Sequence, residues 1–344
     1  MKVHIGVGGY ARANTSNLVE FVQAAERLGV DGVWSAEAWG QDAVTSLAFL
    51  AGQTERIHLG TGIMQISARV PAMTAMTAMS LDALSGGRFR LGLGASGPQV
   101  VEGLHGVDYA APLTRLKETV ELCRMAFAGE KLSYQGKKHQ LPRPGGEGKA
   151  IRIDQPPAAI PIYLATLAPR ALEFTGVAAD GWLGTSFSPE HSEAHFAYLR
   201  RGAESAGRTL ADMDICAAVS VAIGDNVEEL ISSRKAGVAF NMGGMGSADT
   251  NFYNDAFQRA GYVDDARAIQ ELWMQGKREE AARRVPDAMV TEFQAVGTQA
   301  MVAERLEKYR DVGVTSLNVR LDAAKTREGR LELLEQCMDL VANL

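Results

Sequence analysis

Few residues in this chain have the types and spacing that catalysis by ionisable side chains requires. Of its six histidines, only His191 and His195 stand at i, i+4, the spacing that turns two imidazoles toward one metal ion. They fall at the polar start of an expected helix, Pro189 to Ala206, where a solvated pair is the simpler reading, so no metal site is expected. Cys123, Cys216 and Cys337 lie far apart and form no CxxC, which argues against structural zinc and a disulfide framework and fits a reducing compartment. Glu37 and Trp39 place a carboxylate and an indole close together, although an ion pair at a rim accounts for Glu37 equally well. Gly92-Leu93-Gly94-Ala95-Ser96-Gly97 has the GxGxxG spacing of a dinucleotide turn. Pro98, Gly103 and Gly106 interrupt the helix such a site needs. The segment reads as a turn where a flat ligand can approach backbone, or as glycines that merely fit a crowded rim.

The elements that must position these residues alternate along the chain. Apolar, β-rich runs occur at Val3–Val7, Gly32–Ala36, Ile57–Gly62, Phe89–Leu93, Ile162–Ala165, Gly181–Gly184, Ile215–Ile223 and Val314–Val319, and helical patterns fill the intervals. Strands without polar alternation suit a parallel sheet covered by helices, and eight is the number that closes a barrel. A doubly wound sheet would carry its glycine signature in the first turn, and Gly8-Gly9-Tyr10-Ala11-Arg12-Ala13-Asn14 lacks it. The expected fold is an α/β (β/α)8 barrel, one domain over 1–344, with insertions near 129–159 and 240–290. The first of these begins with a small hairpin around Gly136. The C-terminal strand ends, where barrels carry their sites, offer Gly8 to Tyr10, Glu37 to Trp39, Gly62 to Gln65, Gly94 to Gly97, Thr166 to Ala168, Thr185, Ser186 and Arg320. Small residues and a few polar atoms suit a flat cofactor better than a nucleophile–base pair.

Composition narrows the partners. The chain has 344 residues, 46% hydrophobic and 22% charged, which is ample for a large core. A net charge of −6 with no long basic run makes nucleic acid a poor partner. No apolar run reaches the roughly 18 residues of a membrane helix. Met1 to Gly6 reads as a strand and not as a signal peptide, so a cytoplasmic protein is expected. Lys131, Lys137, Lys138, Arg143, Lys149 and Arg152 outnumber Glu130 and Glu147, a local excess that suits an anionic ligand or a solvated loop. Met73, Met76 and Met79 are expected to form a packed helix face.

Several segments resemble one family. They are Leu59 to Ile66, Pro71 to Leu84, Leu84-Ser85-Gly86-Gly87-Arg88-Phe89 through Gly94, Ile160 to Ala165, Ala179 to Trp182, and Val296-Gly297-Thr298 with Gly313-Val314. Together they resemble the bacterial luciferase-like oxidoreductases, and within them the actinobacterial branch that uses the deazaflavin F420, related to methylenetetrahydromethanopterin reductase. The resemblance implies a barrel, a homodimer, and a cis peptide at Gly62–Ile63 beside the largest barrel-mouth pocket. It implies that Gly62, Ile63, Met64, Gln65, Gly94, Ala95, Ser96, Ala165, Thr166, Leu167, Ala168 and Arg170 hold F420, with Glu37 and Trp39 at the reacting end. Where the family's sugar-phosphate dehydrogenases carry an Asp-His pair, this chain has Glu37 and Ala38, so that oxidation is not expected. Nor does Ser96-Gly97-Pro98-Gln99 match the glutamate those enzymes use. The expected activity is hydride transfer between reduced F420 and a small unsaturated or carbonyl-like molecule. The alternatives are an FMN-dependent monooxygenase of the same superfamily, or a non-catalytic carrier of small molecules.

Overall fold

The computed structural model describes residues 1–7, 15–247 and 250–344. Its eight main strands are β1 Lys2–Gly6, β2 Gly32–Ser35, β3 His58–Thr61, β4 Phe89–Gly94, β5 Ile162–Leu164, β6 Gly181–Gly184, β7 Asp214–Ile223 and β8 Ser316–Arg320. Each pairs in parallel with the next, and β8 pairs with β1, so the sheet closes. This is a (β/α)8 barrel, and every strand lies on one of the apolar runs. The turn Gly8 to Asn14 lies outside the described residues.

Side chains alternate between the two faces of each strand. Val3, Ile5, Val33, Leu59, Leu91, Ile162 and Leu164 face outward into the main core. The alternate residues meet inside. Trp34 of β2 packs edge-on against Tyr163 of β5 with centroids 5.1 Å apart, and the Tyr163 hydroxyl donates to Asp214 of β7 at 2.9 Å. Contacts between strands that do not pair can form only across the lumen. The lower lumen is therefore filled, as a barrel of this size should be.

The covering helices are α1 Thr15–Arg27, α2 Ala43–Ala51, α3 Pro71–Ser85, α4 Pro112–Phe127, α5 Pro169–Ala178 and α6 Glu193–Ser205. The motif between α3 and β4 has a structural explanation. Gly86 and Gly87 adopt φ of 66° and 84°, which ends α3 in the left-handed region. Arg88 then donates to the carbonyls of Ser85, Ile57, Ala51 and Thr54 and to the Thr54 hydroxyl, tying α2, α3 and β3 together.

After β7 come α7 Val227–Gly243, α8 Phe252–Arg259, α9 Val263–Met274, α10 Arg278–Arg284 and α11 Asp287–Phe293, then α12 Gln299–Asp311, and α13 Arg327–Ala342 after β8. The helical insertion is longer than the expected 240–290. It closes around its own core, which includes Val238, Met242, Phe257, Ile269, Met289 and Phe293. Near 134–141 the expected hairpin forms, Tyr134–Gln135 against Gln140–Leu141.

The helix expected over 189–206 forms, opening with a 3-10 turn at Pro189–His191 that runs through Ser192 into α6. Two local readings need correction. His195 is not solvated; it is buried among Trp182, Phe187 and Phe196, and neither ring nitrogen has a partner among the described residues. On α3 only Met79 is packed inside, while Met73 and Met76 are 48% and 41% exposed.

Candidate functional site at the barrel mouth

The upper lumen opens where the strands end. Gly6 is exposed, and a Cβ placed there would meet nothing nearer than the Trp34 carbonyl at 4.0 Å. Two strands away, β3 ends in Thr61-Gly62, and the Gly62–Ile63 peptide is cis, as the resemblance implies. Met64–Gln65 then pairs with Leu93 and Gly94 of β4, bringing the two strand ends side by side. Ile63 lies over Gly94 so closely that a Cβ at Gly94 would meet its Cγ1 at 3.0 Å. A glycine is needed there because the neighbouring side chain occupies the space that a larger residue would fill.

Glu37 is 9% exposed and its carboxylate is fully engaged. Oε1 accepts from Arg69 at 2.6 Å and from the Gln65 backbone at 3.1 Å, while Oε2 accepts from the Ala43 backbone at 3.2 Å. Gln65, wholly buried, donates its side-chain amide to the Glu37 and Ala38 carbonyls at 3.0 and 3.2 Å, and its own Oε1 is buried without a partner among the described residues. These contacts fix the β2 loop to the end of β3. Trp39, beyond them, is 65% exposed and free to cover a bound molecule.

Beside this shelf, Ser96 has a positive φ of 58°, and its carbonyl accepts from Tyr109 at 3.1 Å. Burial pushes the Tyr109 hydroxyl up to about 12, so it stays a donor at neutral pH. One turn of helix starts directly at Pro98; proline at a first helical position is no obstacle, contrary to the expected interruption. Ile66, Ser67, Ala95, Asp108, Tyr109 and Arg115 border a small recess of about 10 Å³, room for roughly one water. It reaches Ala95, next to the Gly94 that Ile63 covers. A shallow depression is lined by Asn226, Glu228, Glu229, Ser232 and Ser233 at the start of α7.

Further round the mouth, Thr166 is buried, bonded through its hydroxyl to Thr175 at 2.7 Å and through its carbonyl to the Trp182 indole at 3.0 Å. Leu167 is buried, Ala165 and Ala168 are half-buried, and Arg170 is exposed. Ala168 caps α5 without a side-chain hydrogen bond; Pro169 has no N–H and Ala171 donates to the Ala168 carbonyl at 2.9 Å, which leaves the Arg170 N–H to face an anion. The structure thus brings Glu37, Gly62 to Gln65 and Gly94 to Ser96 into one wall, with Ala165 to Arg170 continuing the rim. Among the described residues no cluster of His, Cys, Asp or Glu is arranged to hold a metal ion, and no helix is long and apolar enough to cross a membrane.

Sequence reasoning missed Arg69 and Arg259. Arg259 on α8 donates to the Leu167 carbonyl at 2.8 Å, so the helical insertion reaches the strand ends. Nothing in a helical periodicity reports where the helix docks.

Comparison with known proteins agrees with this geometry. The profile described as luciferase-like monooxygenase matches residues 1–316. A Mycobacterium tuberculosis protein named for coenzyme F420-dependent oxidoreduction is 37% identical, over 94% of this chain and 96% of that protein. The 5,10-methylenetetrahydromethanopterin reductase of Methanolobus tindarius is 29% identical over 92% and 94%. Among solved structures, the coenzyme F420-dependent tetrahydromethanopterin reductase of Methanopyrus kandleri superposes with a TM-score of 0.77 at 25% identity, covering 98% and 97%.

Proposed function

Since the chain belongs to the luciferase-like monooxygenase family, we propose that it is an F420-dependent oxidoreductase acting on a small unsaturated or carbonyl-like molecule. One observation carries the reading. Glu37, beside the shelf, is committed to Arg69 and two backbone N–H groups, so among the described residues the shelf offers a backbone surface and not an acid–base pair. Chemistry on such a surface comes from a bound group, and the named relatives use F420. The residues fit a flat ring: Gly6 leaves open space at the end of β1, and Gln65 Oε1 is a buried acceptor without a partner among the described residues. Bound there in reduced form, the deazaflavin supplies a hydride. Gly62 to Gln65 and Gly94 to Ser96 would hold the ring, Ala165 to Ala168 and Arg170 its phosphodiester at the open start of α5, and Trp39 would shield it from water.

The test is cofactor choice. F420 fluorescence polarisation with the purified chain is expected to show saturable binding at micromolar concentration, with FMN binding far more weakly. Tight FMN binding without F420 binding would return the protein to the monooxygenases, and binding of neither would favour a carrier. We also infer a homodimer, supported by Phe49 on α2 and by Val70, Met73 and Met76 at α3, all exposed and apolar. A monomer by light scattering would overturn it. The cytoplasm is the compartment we assign, in keeping with three free, buried cysteines.

A further inference from the structure

The helical insertion is joined to the barrel in a way that lets the two part. The chain enters it from residues 221–223 of β7 and leaves it through Ala295–Gly297, and these two stretches pair in parallel, residue for residue. Val221 and Ala295 pack in the main core, Ala222 and Val296 in the core of the insertion, so this ribbon is the seam between two separately packed bodies. Where it ends, Gly224 donates to the Gly297 carbonyl at 3.0 Å, and Gly297 has a φ of 142°, which favours glycine.

Beyond the seam, polar ties reach three other strand ends. Arg259 on α8 donates through Nη2 to the Leu167 carbonyl after β5, at 2.8 Å, and through Nε to the Ala194 carbonyl of α6, at 3.4 Å. Arg234 on α7 pairs with Asp322, just past β8, at 3.0 Å. Glu292 on α11 meets His191, in the turn after β6, at 3.0 Å and accepts from the Tyr262 hydroxyl at 2.6 Å, both on Oε2. The insertion therefore bridges the ends of β5, β6 and β8 and covers that half of the mouth, while the shelf at β3 and β4 belongs to the other half.

Among these ties His191 brings the side chain whose type changes charge between about pH 5 and 8. Its ring stacks on Phe293 at 6.4 Å and meets Tyr262 edge-on at 5.8 Å, which fixes the imidazole beside the Glu292 carboxylate. The other carboxylates around it are paired: Glu190 of the same turn with Arg305 at 2.5 Å and Lys308 at 3.6 Å, both on α12, and Asp265 of α9 with Arg284 at 2.5 Å. Burial first, and Glu292 beside it, raise the Tyr262 hydroxyl above its ordinary value, so it stays a donor throughout.

We propose that the insertion is a cap that opens about this seam as one body, and that His191 and Glu292 form its pH-sensitive latch. Protonated, the imidazole adds an ion pair to its hydrogen bond with the carboxylate; deprotonated, it keeps the hydrogen bond alone. The latch is tighter at pH 6 than at pH 8. The two side chains are 32% and 27% exposed, so the difference is modest. Opening dissolves neither core, so its cost is set by the polar ties, and it uncovers the half of the mouth over β5 to β8. The device is independent of which cofactor the protein takes.

Hydrogen exchange of the full-length protein, read by mass spectrometry and corrected for intrinsic rates, tests both parts. Peptides from 252–293 are expected to open together, roughly tenfold or more as often as the barrel strands. From pH 6.0 to 8.0 that opening should rise about twofold to fivefold in the wild type. His191→Gln and Glu292→Gln should each abolish the rise, while Arg259→Gln should increase opening at both pH values and keep it. Insertion and strands protected alike in the wild type would overturn the cap. No rise in the wild type, or an equal rise in His191→Gln and Glu292→Gln, would overturn the latch. Strand peptides in the same spectra show that each variant is folded.

Discussion

Lowering the pH from 7.5 to 5.0 should destabilise the protein through His195 by an amount the structure sets. Its imidazole is 1% exposed among Trp182, Phe187 and Phe196. Burial first, and the Arg259 charge second, lower its pKa from 6.5 to about 3. The folded chain therefore keeps this ring neutral at pH 5.0, while the unfolded chain protonates it. More protons on the unfolded state mean that stability falls as pH falls, here from about 6.5 down to about 3. At pH 5.0 the difference of about 1.5 pH units from the unfolded value corresponds to roughly 2 kcal/mol. Urea unfolding of wild type and His195→Leu at both pH values isolates the contribution, because every other group titrates in both proteins. The wild type should lose about 2 kcal/mol more than the variant on acidification. Identical losses would refute the reasoning, and would mean that the ring gains a proton acceptor when folded.

Arg88→Ala should destabilise by about 3–5 kcal/mol in urea, since it abandons buried carbonyls on three elements; a loss under about 1 kcal/mol would show that water replaces the guanidinium. Glu37→Gln keeps an acceptor for the Gln65 and Ala43 backbones but removes the charge opposite Arg69, so a positioning role predicts a fall in turnover of less than about tenfold. A fall of a thousandfold would make the carboxylate part of the chemistry. Lys138 reaches Asp108 at 3.6 Å, beside the mouth recess, so replacing Lys137, Lys138 and Arg143 with Gln should weaken F420 binding several-fold at low salt and less at high salt, leaving FMN nearly unaffected. Equal F420 affinity at low salt would assign the basic excess to solvation alone.

The strands were legible because the residues that face the helices are apolar and polar ones are few between them, the pattern of a strand covered on one face by helices and on the other by the lumen. Leu91, Leu93, Ile162 and Leu164 show this directly, since all are fully buried. The shelf was legible for a different reason: glycine at 62 and 94 marks places where a neighbouring side chain, Trp34 or Ile63, leaves no room for a Cβ. What the sequence withheld is non-local. The partner of Glu37 is Arg69, on the far side of β3, and no spacing rule joins them. His195 was misread because nothing in its own segment reports the rings of Trp182 and Phe187 that pack over it. Arg259 sits in an insertion whose helical pattern reports its own core and not the strand end it reaches.

Glu118 has a consequence for how such a barrel can change. This buried carboxylate on α4 accepts the backbone N–H groups of Lys137, Lys138 and His139 at 2.6, 2.9 and 2.7 Å. It grips the chain by its peptide groups and ignores what those residues carry. The three side chains can therefore be rewritten in size and charge, proline excepted, while the hairpin stays docked. Gly136 is the fixed letter, because a Cβ there would meet Glu118 Oε2 at 2.5 Å. A library varied at 137–139 and anchored at 118 and 136 would change the chemical face of this loop and leave its address on the barrel unchanged.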